Sequence, residues 1–251
     1  MSGFETLIYE KNEGIGYITL NRPKALNAYS IQMRDDLHES LNAIRDDSDV
    51  RVVIFKGAGE KAFCAGADLS EFLTAPPPVA ARKIRFDRDV WGLFTEMPQP
   101  MIAALHGYVL GSGIEIALCC DIRIASEDAR FGLPEVDLGI IPAAGGTQTL
   151  PRTVGRGKAL EMLITDRWIN AEEAWRIHLV NRVVPREKLL DSAEEMANKI
   201  ASYDPIAVRY AKQAVLRGLD LTLAQGLSLE KTLKARLASG KQHHEIPLNE
   251  I

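Results

Sequence analysis

The chain has 251 residues, 46% hydrophobic and 25% charged, the balance of a folded globular protein with length enough for one substantial core, or for a core with a helical appendage. Thirty Lys and Arg against 34 Asp and Glu give a net charge of -4, which excludes a surface built as a whole for nucleic acid or anionic membrane; an anionic ligand must be gripped locally. Three cysteines, two of them adjacent (Cys119 and Cys120), make no disulfide framework, and no run approaches the roughly 18 apolar residues of a membrane span, so the expectation is a cytoplasmic protein without a membrane anchor.

Leu7 to Tyr9 and Ile15 to Leu20 read as two strands of a hairpin turning at Asn12-Glu13-Gly14. Asn21-Arg22-Pro23-Lys24 breaks the pattern. Ser30 is placed to N-cap a helix to about Ile44, because Ile31, Leu37, Leu41 and Ile44 share one face. Arg51 to Lys56 is a strand whose continuous apolar centre asks for cover on both sides. A loop from Gly57 to Asp68 follows. It matches Gly-x-Gly-x-x-Gly/Ala, the dinucleotide fingerprint, yet no amphipathic helix comes after it, and a plain tight loop is the better reading. Pro76 to Pro78 mark an excursion before a helix over about 79–96, and Met101 to Leu105 is the next buried strand. Ile122 to Ala125 is another. Beyond Gly157 the pattern is helical, over 158–164, 171–177, 186–200, 205–216 and 221–237, with one strand at 180–184. Alternating strands and helices followed by helices alone imply an α/β core, with the division expected as a core over 1–195 and a helical region over 196–251.

The stretch Gly111-Ser112-Gly113-Ile114-Glu115 runs into Ile116-Ala117-Leu118-Cys119-Cys120, small residues leading into a buried helix. The first amides of a helix lack intrahelical partners and carry the positive end of its dipole, so they can hold an oxygen that gains negative charge. Glu115 lies one turn further in, and Glu135 follows in Phe131-Gly132-Leu133-Pro134-Glu135. Two carboxylates beside a polarised carbonyl can add water across a conjugated double bond, one taking a proton from water and the other giving one to carbon. A competing reading exists: Ser112-Gly113-Ile114-Glu115 also fits a Ser-x-x-Glu capping box, and Glu135 also reads as a solvated loop carboxylate. Cys64 reads as a small buried residue, and His106 as a strand-end residue bonded to backbone. His243 and His244 stand in a polar tail without further ligands, which gives no metal site.

Taken together, Asn21 to Ala28, Ala62 to Leu69, Gly111 to Glu115, Phe131 to Glu135 and Gly139 to Gln148 resemble, in order and spacing, the enoyl-CoA hydratase/isomerase (crotonase) family, over about residues 7 to 237. The resemblance implies a spiral of ββα units with a C-terminal helical trimerisation part, assembled as a homotrimer or homohexamer. It implies an acyl-CoA substrate, with coenzyme A as part of that substrate and no separate cofactor. The backbone N–H groups of Ala67 and Ser112 would form the oxyanion hole, Glu115 and Glu135 would be catalytic, and Ala65, Asp68 and Leu69 with Lys24, Ala25 and Leu26 would line the CoA channel. Both glutamates being present favours a lyase that hydrates 2-enoyl-CoA in fatty acid metabolism; the alternatives are isomerisation, hydration of a cyclic dienoyl-CoA, or an RNA-binding branch that the net charge opposes. Ser112, Asp166 and His178 stand where the family commonly has glycine. The last two are tolerable there if they adopt left-handed backbone.

Overall fold

The computed structural model of the chain describes residues 3–72 and 88–240. The prolines at 76–78, the first half of the expected helix over 79–96 (up to residue 87), and the tail with His243 and His244 lie outside these residues.

β1 (Leu7–Asn12) and β2 (Ile15–Leu20) form an antiparallel hairpin, with Leu7 opposite Leu20. Glu13 (φ 48°) and Gly14 (φ 81°) are both left-handed, the two-residue turn whose twist matches that of paired strands. β3 (Val52–Gly57), β5 (Met101–Leu105), β7 (Ile122–Ser126) and β10 (Arg182–Val184) add in parallel to give a six-stranded sheet ordered β1-β2-β3-β5-β7-β10. A second sheet, ordered β4-β6-β8-β9, is built from strands of two or three residues: Ala62–Cys64, Tyr108–Leu110, Arg130–Gly132 and Ile169–Asn170. Each turn of the chain therefore lays one strand in the large sheet and the next in the small one, and then enters a helix: β3, β4 and α2 (Leu69–Phe72); β5, β6 and α4 (Ser112–Cys119). This is the ββα winding of the crotonase-like fold.

The large sheet is covered on both faces, as the unbroken apolar run in β3 requires. On one side Val53, Phe55, Met101, Ala103 and Leu105 pack with Met33, Leu37, Leu41 and Ile44 of α1 (Ile31–Asp46) and with Phe94 of α3 (Val90–Glu96). On the other, Ile54, Ile102, Ala104 and Ile124 meet Leu189, Ala193 and Ala197 of α8 (Leu189–Ala201). Ser30 caps α1 as its spacing predicts, its Oγ accepting from Met33 N at 3.1 Å. Along the chain between β8 and α8 come α5 (Gly146–Val154), α6 (Arg156–Thr165) and α7 (Ala171–Arg176). The last helices among the described residues are α9 (Pro205–Gly218) and α10 (Leu223–Ala238), which pack through Leu229 and Leu233 against Tyr210, Ala214 and Leu221. Among the described residues no helix is long and apolar enough to cross a membrane.

Two expectations need correction. The stretch from Gly57 to Asp68 is not loop throughout, since Ala62–Cys64 is a strand buried beneath α4. The buried helix begins at Ser112 and not at Ile116. Asp166 (φ 49°) and His178 (φ 64°) do occupy left-handed backbone, and His106 bonds the Gly59 carbonyl at 3.1 Å.

Candidate active site

Two backbone segments meet at the centre of the site. The first is Ala65 to Asp68, bridged in parallel to Tyr29: Tyr29 N donates to Gly66 O and Asp68 N to Tyr29 O, each at 2.8 Å. A parallel bridge ties one residue to the two neighbours of its partner, so the N–H of Ala67 itself turns to the opposite side. There it has no acceptor among the described residues. The second segment is the start of α4, where Gly111 (φ 48°) is the N-cap without any side-chain cap. Ser112 N, like the first amides of any helix, has no acceptor there either. The two come together because glycines allow it. A Cβ on Gly111 would stand 3.4 Å from the Gly66 Cα, and one on Gly113 would run into the Cys64 carbonyl. Ser112 is 8% exposed, so this first turn is screened from bulk water.

Glu115 is 2% exposed. The capping-box alternative fails, because Glu115 does not reach back to Ser112. Its Oε1 accepts instead from Ala144 N and Gly146 N, both at 2.9 Å. Two amide hydrogens on one oxygen fix that oxygen as an acceptor and set the direction of the carboxyl group. The amides belong to the glycine-rich stretch Pro142 to Thr147, which the sequence shows without revealing its role; its contact with a residue about 30 positions earlier has no local signature.

Glu135 sits in a 3-10 turn, Pro134–Leu138, opened by a proline and closed by left-handed Gly139. Its Oε1 lies beside Gly111, where a Cβ would approach to 2.9 Å, and its Oε2 is buried without a hydrogen-bond partner among the described residues. Burial pushes its carboxyl up to about 7, and the charges of Glu115 and Asp166 add to the rise. The structure thus brings Glu115, Glu135 and the turn at Gly111 and Ser112 around one point.

The remaining predicted residues lie along an adjoining rim. Ala65 N donates to Leu26 O at 3.1 Å, which laces the turn Pro23–Ala25 to the strand leading into Ala67. Leu26 and Asn27 are left-handed, and Asn27 is buried with its amide bonded to the carbonyls of Ala58 and Ala62. Lys24 and Ala25 are exposed at the tip, and Leu69 is 44% exposed. Asp68 is already engaged: its carboxylate accepts from Ser70 Oγ at 2.6 Å and from Arg22 Nη2 at 2.8 Å, bonds that hold it below the usual carboxylate range. Its side chain therefore braces the rim. Cys64 is fully buried, and burial pushes its thiol up to about 12, so it is packing and not a nucleophile.

The family model described as "Enoyl-CoA hydratase/isomerase" matches residues 10–247. A short-chain-enoyl-CoA hydratase from Clostridium acetobutylicum is 45% identical over 225 residues, covering 89% of this chain and 86% of that protein. An (E)-benzylidenesuccinyl-CoA hydratase from Thauera aromatica is 42% identical, covering 87% and 85%. A crystal structure of an enoyl-CoA hydratase from Bacillus anthracis superposes with a TM-score of 0.88 at 43% identity, covering 92% of this chain and 90% of the other. A family-model match nearly as long as the chain, with relatives above 40% identity over most of its length, means that the protein belongs to the enoyl-CoA hydratase/isomerase (crotonase) family.

Proposed function

We propose that the protein is an enoyl-CoA hydratase, adding water reversibly across the double bond of a 2-enoyl-CoA thioester. The observation that carries this reading is the contrast between two carboxylates around one pair of unbonded amides. Glu115 is held as an acceptor by two N–H groups, while Glu135 retains a proton to about pH 7.

In this reaction the thioester oxygen accepts hydrogen bonds from Ala67 N–H and Ser112 N–H. These donors strengthen as negative charge moves onto that oxygen. Glu115 takes a proton from a water as the water oxygen attacks C3, and the electron pair of the alkene moves through C2 onto the thioester oxygen. Glu135 then delivers its proton to C2 as the enolate collapses. The net change is one hydroxyl on C3 and one hydrogen on C2, with the two carboxyl groups exchanging protonation states before the next cycle. Lys24, exposed at the tip of the rim, would meet a phosphate of coenzyme A, and Ala25, Leu26, Ala65 and Leu69 would flank the channel, with Asp68 bracing it. Assembly as a homotrimer or homohexamer is supported by the apolar surface of the C-terminal pair, with Leu219 76% and Leu223 80% exposed, and sedimentation tests it.

The deciding experiment incubates the purified chain with crotonyl-CoA, longer 2-enoyl-CoAs and a cyclic dienoyl-CoA, following loss of conjugation and the mass of the product. Hydration adds the mass of one water. A product isomeric with its substrate would replace the hydratase reading with an isomerase.

A further inference from the structure

The turn between α6 and β9 borders the active site without supplying any of the groups named above. Arg167 anchors it from one side, donating to Glu173 of α7 through both terminal guanidinium nitrogens at 2.7 and 2.8 Å and pairing with Glu161 of α6 at 3.0 Å. On the other side stands Trp168. β8 and β9 pair Arg130 with Asn170 and Phe131 with Ile169, so one step further Trp168 comes opposite Gly132. Its indole lies against that glycine: a Cβ on Gly132 would stand 2.6 Å from Trp168 Cδ1 and 2.8 Å from Nε1.

Two supports hold the indole there. Asp166 Oδ1 accepts from Trp168 Nε1 at 3.0 Å, and the Tyr108 ring meets the indole edge-on, with centroids 6.2 Å apart and planes at 74°. Asp166 closes α6 at φ 49°, left-handed backbone that glycine takes freely and a residue with a Cβ takes under strain. The bond that Asp166 makes is at the surface, with Trp168 itself 43% exposed, and a hydrogen bond open to water adds little to stability. Strain retained for so small a gain points to a use other than stability.

The backbone under the indole joins the two halves of the site. Gly132 O accepts from Gly111 N at 3.0 Å, and Gly111 is the N-cap that precedes Ser112 N–H. Glu135 follows three residues after Gly132, and its Oε1 returns to Gly111. Gly132 is therefore tied to the oxyanion turn by a hydrogen bond and to the acid by a short length of chain, and a shift of a fraction of an ångström in it displaces both. We propose that Trp168, held by Asp166, is a positioning residue: packed on Gly132, it sets the distance between Glu135 and the amides of the Gly111 turn. This role rests on the hydratase reading of those groups.

Asp166→Gly and Trp168→Phe each break the bond to the indole nitrogen, and the second leaves an aromatic ring over Gly132. Each is expected to lower kcat for crotonyl-CoA by about 3-fold to 10-fold at pH 6, with KM and Tm unchanged, because misplacement of groups that act in the transition state is read in kcat. The double variant should be no slower than either single one, since two changes to one bond do not add. Asp166→Asn keeps an acceptor for the indole while removing the charge that reaches Glu135, and is expected to restore the wild-type kcat. Acetoacetyl-CoA, whose enolate absorbs in the near ultraviolet, reads the Gly111 turn without turnover: the fraction bound as enolate should fall in both single variants and return in Asp166→Asn. Crotonyl-CoA left unhydrated by the wild type, with the enolate signal still falling and returning, would remove the hydratase reading and keep the clamp. Equal kcat and equal enolate signal in all variants, or neither activity nor enolate in the wild type, overturns it. So does a lowered Tm with a raised KM, the mark of a structural turn, or an Asp166→Asn variant as slow as Asp166→Gly, the mark of charge alone.

Discussion

Glu115 and Glu135 are the same residue type placed by two very different regions. Glu115 projects from a continuous buried helix whose first turn is pressed against β4, and one of its oxygens is fixed by two amides from a segment about 30 residues away. Glu135 hangs from a short turn whose following residues, Asp137 to Ile141, are exposed, and one of its oxygens is buried with no partner among the described residues. Hydrogen bonding acts on the first and desolvation on the second, so one is kept as an acceptor and the other keeps its proton. An acid and a base acting together at neutral pH need that separation; two identical environments would give two acids or two bases.

The most direct way to break this comparison is to remove each carboxylate in turn. Glu115→Gln and Glu135→Gln are each expected to lower kcat by about 10²–10⁴ with crotonyl-CoA, the usual worth of a general acid or base. Circular dichroism should show both variants folded. Normal turnover in either variant would mean that this carboxylate takes no part in the chemistry.

A gentler perturbation leaves both carboxylates present and moves only the amides that hold one of them. A Cβ on Gly146 would stand 3.0 Å from Glu115 Oε1 and 2.9 Å from the Pro142 Cβ. Gly146→Ala should therefore push the Glu115 carboxylate from its seat and cost about 10-fold to 100-fold in kcat, an effect of misplacement by a fraction of an ångström. Stability should fall little. If kcat is unchanged, the amides are not what orients Glu115.

These two perturbations also separate what the sequence shows from what it hides. The hairpin turn at Glu13 and Gly14, the Ser30 cap and the apolar run of β3 are local signals, and each corresponds to an observed feature. The strands of the small sheet are only two or three residues long, and their pairing comes from neighbours far along the chain, so no periodicity announces them. Helix α4 starts at Ser112 despite the weak helix propensity of Ser and Gly, because Gly113 alone fits against the Cys64 carbonyl. For the same reason both glutamates were visible as candidates, while the amides of Ala144 and Gly146, which give Glu115 its character, were not. Residue type is written locally and environment is not.

The next effect is on the pH profile. If protonated Glu135 is the acid, kcat/KM in the free enzyme should fall about tenfold per pH unit above the carboxyl's value of about 7. The limb should vanish in Glu135→Gln, whose residual rate should be flat across it. A descending limb that survives the substitution belongs to another group.

The smallest effect, and the one that separates the two environments most cleanly, is on stability. Glu135 binds its proton more tightly folded than unfolded, where a glutamate titrates near its ordinary value of 4.5. The folded state therefore gains from the proton at low pH, and that gain is lost as pH rises from about 4.5 through about 7. Glutamine cannot lose a proton, so Glu135→Gln should be close to wild type at pH 5 and more stable by about 1–2 kcal/mol at pH 8, a figure reduced for the carboxyl's partial access to water. For a chain of this size that is a rise in Tm of roughly 2–6 °C. Glu115→Gln should move the other way. Its replacement keeps one acceptor for the two amides but brings an NH2 into a space that is 2% exposed, and Tm should fall at both pH values. Opposite signs at pH 8 from one chemical substitution at two glutamates follow only if one is seated by donors and the other is desolvated.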